Sequence, residues 1–122
     1  MIYFNLILSF IQISFAIEYK NFTVKELPKL ISITEKKGIL VSSKCNNCIA
    51  IQQTKNKKKF TEWTNTQKNK TLIGNPASSL CHFLDGNNIN LKAYNNSDEG
   101  FCLFKDKSLI SSMQLYWKLE NK

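Results

Sequence analysis

Four cysteines, at positions 45, 48, 81 and 102, constrain this chain more than any other feature, and what they mean depends on where the chain resides. Residues 1–16, MIYFNLILSFIQISFA, carry no charged side chain, and their apolar stretch falls short of the roughly 20 residues of a spanning helix. Ser14-Phe15-Ala16 places small residues at the two positions a signal peptidase reads, which predicts cleavage before Ile17. The basic residues that usually open such a leader are missing, so an uncleaved anchor is the alternative. The expected location is the periplasm or the exterior. There an even cysteine count reads as disulfides, with three pairings open.

Two other readings of Cys45-Asn46-Asn47-Cys48 stay open as alternatives with less support from context. A zinc site lacks a second CxxC, and the lone His82 lies in another segment. A thioredoxin-like redox pair should open a helix after a strand, whereas Ile39-Leu40-Val41 and Ile49-Ala50-Ile51 read as strands on both sides. No cofactor or metal is expected.

The charge is +8 with 17 lysines and no arginine. Lysine, asparagine and isoleucine together supply 44 of 122 residues, a composition that AT-rich codons alone produce. Without arginine's bidentate fork, sequence-specific nucleic-acid reading is not expected, although loose attraction to polyanions is. Lys55, Lys57, Lys58 and Lys59, followed by Trp63, form the candidate polyanion contact; the plainer reading is a solvated loop with an aromatic anchor.

Residues 17–54 read as a β-rich region with strands near Leu30–Thr34, Gly38–Ser43 and Cys48–Gln53. Residues 55–74 read as a basic polar connector. Residues 75–122 are more legible. Asn75 caps a helix that Pro76 begins, and Ala77, Leu80, Cys81 and Leu84 make one apolar stripe, with Ser78 and His82 on the other face. Gly86 is expected to end this helix in a left-handed conformation. Ile89 to Ala93 alternates as a strand, Asn95 to Gly100 turns, and Phe101–Phe104 returns. A turn at Asp106-Lys107 leads to Ser108–Ile110 and a terminal helix capped by Ser111 or Ser112. The expected fold is α+β, with a short helix on a two- or three-stranded antiparallel sheet behind the β-rich region. A Cys81–Cys102 bridge would tie helix to returning strand across 20 residues, leaving Cys45–Cys48 by elimination.

Asn75-Pro76-Ala77-Ser78, Cys81, Gly86, Gly100-Phe101-Cys102-Leu103-Phe104-Lys105-Asp106, Ser108 and Leu115-Tyr116 together resemble the exported family called domain of unknown function 333. Its members are often labelled haemolysins. The resemblance covers residues 75–122 and departs at Asp85 and Lys107, where the family often has glycine. It implies no catalytic residues.

The expected function is therefore a non-catalytic exported module binding an envelope or extracellular protein. A basic protein acting at anionic membranes, through lysines and Trp63, Tyr116 and Trp117, is the alternative.

Overall fold

The computed structural model describes residues 16–67 and 75–121. The expected leader and the end of the expected connector therefore lie outside the described residues, apart from Ala16. The strands are β1 (Ala16–Lys20), β2 (Leu30–Lys36), β3 (Ile39–Ser42), β4 (Asn87–Lys92), β5 (Asp98–Leu103) and β6 (Leu109–Ser111). The helices are α1 (Ile49–Gln53), α2 (Lys57–Gln67), α3 (Pro76–Phe83) and α4 (Ser112–Glu120).

All six strands are antiparallel and close into a barrel in the order β1-β2-β3-β6-β5-β4. This corrects the expected short helix on a two- or three-stranded sheet. The two contacts that close the ring, Lys20 with Lys92 and Val41 with Ile110, join strands far apart in sequence. No local pattern announces them. Each hairpin, by contrast, follows turn chemistry. Lys36 pairs with Ile39, and the two loop residues, Lys37 (φ 53°) and Gly38 (φ 82°), both take the left-handed conformation that suits a tight β-hairpin.

Strand alternation then produces two cores. Tyr19, Ile31, Ile33, Leu91, Phe101, Leu103 and Leu109 fill the barrel interior. The Tyr19 ring meets Phe101 edge-on at 5.3 Å, and its hydroxyl donates to Glu99 Oε2 at 3.0 Å. Burial, then that hydrogen bond, then the carboxylate's charge push the Tyr19 pKa up to about 12. The second core lies outside the ring. There Val41, Cys102 and Ile110 meet Ala50, Trp63, Leu80, Cys81, Leu115 and Leu119 from the four helices.

Cys48–Gln53, expected as a strand, contains helix α1 instead. The cause is tertiary: Asp106 Oδ2 accepts from Ile49 N–H at 2.9 Å, and Ser108 Oγ accepts from Ala50 N–H at 3.1 Å, so a distant turn satisfies the helix's first donors. Partial burial alone would raise the Asp106 pKa. The hydrogen bonds from Ile49 N–H and from the Ser108 hydroxyl and N–H outweigh that and hold it below the usual aspartate value.

Lys57–Gln67 is likewise helical rather than a solvated loop. Trp63 is only 3% exposed and donates from Nε1 to Ser79 Oγ at 3.1 Å. It stacks obliquely with Phe60 and edge-on with Tyr116, so burial of one aromatic face organises a segment with little helical signal.

Helix α3 begins as read. Asn75 Oδ1 accepts from Ala77 N–H at 2.9 Å. Its end differs from the expectation. Asp85 (φ 66°) takes the left-handed position, and Gly86 N–H returns to Cys81 O at 2.9 Å. Gly86 serves close packing instead: a Cβ there would stand 2.2 Å from Cys102 Sγ and 3.0 Å from Cys81 Sγ. Ser111 caps α4, accepting from Gln114 N–H at 3.3 Å.

Candidate functional site: a polar cleft between two helix starts

The first turns of α3 and α4 flank the outer face of the β4–β5 hairpin and leave a cleft of about 330 Å³. That is the lower end of the roughly 300–1,000 Å³ typical of ligand pockets, room for one small molecule. Asn75, Ser78, Asn88, Asn90 and Ser112 supply its polar lining, with Ile89, Gly100 and Met113 between them.

Local structure positions each group. Asn88 Nδ2 donates to Ser78 O at 2.9 Å, which fastens β4 to α3. Gly100 sits directly opposite Asn90 in the ladder, and a Cβ there would stand 3.8 Å from Asn90 Oδ1. The glycine thus keeps the space beside that amide open. Asn90 makes no side-chain hydrogen bond among the described residues, apart from what the cleft could offer. Ser112 is 6% exposed, and its Oγ has no hydrogen-bond partner among the described residues. A buried hydroxyl left unpaired costs roughly 1–3 kcal/mol, so such a group calls for an explanation.

Every lining side chain among the described residues is uncharged. The cleft can therefore exchange hydrogen bonds in both directions, since an amide and a hydroxyl each donate and accept, but it presents no ionisable group. The start of α4 adds backbone donors of the kind a helix leaves without internal partners. Among the described residues, no group of three or more His, Cys, Asp or Glu is placed to hold a metal ion.

Of the residues singled out in the sequence, Asn75, Ser78 and Gly100 meet at this cleft. Gly100 lies within β5, not in a turn. The four cysteines form two pairs, Cys45 with Cys48 (Cα–Cα 5.3 Å) and Cys81 with Cys102 (5.7 Å). His82 is exposed on α3.

The lysines of the run are all exposed, and two of them make contacts within the fold. Lys57 Nζ donates to Leu119 O and Asn121 O, both at 2.7 Å, closing the end of α4. Lys59 pairs with Glu62 at 3.8 Å and lies over the Phe83 ring, while Lys55 and Lys58 are exposed. Of the aromatics expected at a membrane, Trp63 is core and Tyr116 is half-buried with its hydroxyl on Glu120; Trp117 is 58% exposed.

Sequence reasoning missed Asn88, Asn90 and Ser112. Alternation along Ile89, Leu91 and Ala93 did imply that Asn88 and Asn90 share the opposite face of the strand. Nothing in the order of residues placed two helix starts over that face. No protein-family model, curated protein or solved structure matches this chain.

Proposed function

We propose that this is an exported, non-catalytic binding protein, and that the polar cleft takes a small neutral ligand rich in hydroxyl groups, such as a sugar residue. The observation that carries the reading is the convergence of the Asn75, Asn88 and Asn90 amides and the Ser78 hydroxyl on a cleft whose described lining side chains carry no charge. A charged ligand would leave its charge uncompensated there, whereas a hydroxyl matches both halves of an amide. Acid–base or nucleophilic chemistry would need an ionisable group in the lining, and the described lining residues offer none.

Export is supported by the two disulfides. Mass spectrometry of the protein from its own host should find a mature N-terminus at Ile17; a membrane-held product beginning at Met1 would refute cleavage. The proposed kinship with the domain of unknown function 333 draws support from Asp85 (φ 66°) and Lys107 (φ 71°). These are the two departures from the family's glycines, and both take the conformation glycine adopts most readily.

The binding test uses calorimetric titration with a panel of neutral and acidic monosaccharides and disaccharides. Saturable binding is expected for neutral members only. Asn90→Ala should weaken it several-fold, whereas Ser112→Ala should leave it unchanged and raise unfolding stability by about 1 kcal/mol, because an unpaired buried hydroxyl is removed. Gly100→Leu, which fills the space beside Asn90, should abolish it. No saturable neutral ligand, or full binding by Gly100→Leu, would sink the assignment.

A further inference from the structure

We infer that the loop after β1 and the start of β2 form a docking surface for an anionic lipid membrane, independent of the polar cleft. The loop from Asn21 to Lys29 displays Phe22 at 73% exposure, and Leu30 follows at 53%. Apolar groups presented together on one ordered turn and the strand beside it, with cations next to them, mark a contact surface.

The loop holds Phe22 outward by construction. Asn21 is buried, and its Nδ2 donates to the carbonyls of Val24, Leu27 and Pro28 at 2.8, 3.2 and 3.1 Å. Its Oδ1 accepts from Thr23 N–H and Val24 N–H at 3.2 and 3.0 Å. Asn21 N–H also donates to Lys29 O at 2.8 Å. One asparagine therefore fixes the loop's backbone, while Leu27 packs toward the barrel core. Phe22 is presented by an ordered turn.

Lysines lie beside Leu30 and along the groove that adjoins it. Lys20 stands beside Leu30 in the β1–β2 ladder, and Lys29 precedes it. Lys44 and Lys107 line a groove with Leu27, Pro28 and Leu30. Against these four, the loop itself carries one acid, Glu26, next to Lys25. Asp106, beside Lys107, is engaged by the N–H of Ile49.

Charge complementarity selects an anionic partner, and geometry selects a lipid surface over a protein. A stable protein interface uses about 800 Å² per partner, more than two protruding side chains and the edges of Leu27 and Pro28 can centre. An interfacial anchor needs only a few apolar groups inserted at headgroup depth with cations around them. The helix-covered side of the barrel does not compete, because its apolar groups pack against α1–α4.

The test is co-sedimentation of the full chain with vesicles of phosphatidylcholine alone or mixed with phosphatidylglycerol. Binding should require the anionic lipid and fall steeply with added salt. Phe22→Ser with Leu30→Ser should weaken it at least tenfold, and Lys29→Gln with Lys44→Gln should weaken it several-fold at low salt. All four side chains are on the surface, so circular dichroism should show an unchanged fold. Two controls localise the effect: Trp117→Ser, equally apolar and exposed, and Lys55→Gln with Lys58→Gln should bind like the parent. No vesicle binding, full binding by the Phe22/Leu30 variant, or equal loss in either control would overturn the inference, the last by showing that the effect is not confined to this loop.

Discussion

Replacing Cys81 and Cys102 together by alanine should lower the melting temperature by more than about 10 °C, as followed by circular dichroism under non-reducing conditions. The bridge spans a sequence separation of 21, so losing it frees a chain loop worth roughly 3 kcal/mol in the unfolded state. For a domain of this size each kilocalorie moves the midpoint by about 4–8 °C. Both cysteines are fully buried in the outer core, where the bridge joins α3 to the outer face of β5. That outer core seats all the helices, so the loss is not confined to one end of the chain. Alanine is preferred to serine because two buried hydroxyls would add a penalty unrelated to the crosslink. The Cys45→Ala/Cys48→Ala variant should be milder, roughly 2 kcal/mol or less, because that loop is closed by only three residues of separation. Equal losses in the two double variants would show that the long loop is not the source of the stability.

Gly86→Ala should be the most damaging single methyl addition in the fold. The new Cβ would lie 2.2 Å from Cys102 Sγ, a distance no pair of non-bonded atoms tolerates, and 3.2 Å from the Cys81 carbonyl. Either the bridge or the backbone must move, and overpacking of this kind costs about 1–3 kcal/mol. The penalty has a diagnostic partner. With both sulfur atoms removed, the nearest obstacle left is the Cys81 carbonyl, so the same Gly86→Ala change should cost much less in the Cys81→Ala/Cys102→Ala background. A thermodynamic cycle over the three positions measures that coupling, and additive losses would reject the steric account. Helix-terminal strain cannot produce this pattern, because the left-handed residue is Asp85 rather than Gly86.

Gly86 marks where sequence reading reaches its limit. A glycine behind an amphipathic stretch suggests a helix stop, and the helix does stop there, yet the reason that position must be glycine is a sulfur atom on a strand 16 residues later. The cap at Asn75, the proline after it and the apolar stripe through Cys81 were legible because each is settled within a few residues of the same helix. The cysteine pairing was legible for the same reason, since helix and returning strand are neighbours along the chain.

Tertiary structure alone decided the rest. Helix α1 exists because Asp106 and Ser108 hold its first N–H groups across 57 and 58 residues of sequence, and α2 is organised by the burial of Trp63 against Ser79 and Tyr116. The barrel closes because β1 meets β4 and β3 meets β6, pairings that depend on the twist and stagger of the whole sheet and leave no periodic trace in either strand. The cleft belongs to this second class. Asn88 and Asn90 lie on one strand face by simple alternation, but Ser112 and the start of α4 reach that face only because the chain leaves β6 into a helix that packs back over β5. Local hydrogen bonding and periodicity are written residue by residue, whereas a site between elements comes into being only when the ring is closed and the helices are seated on it.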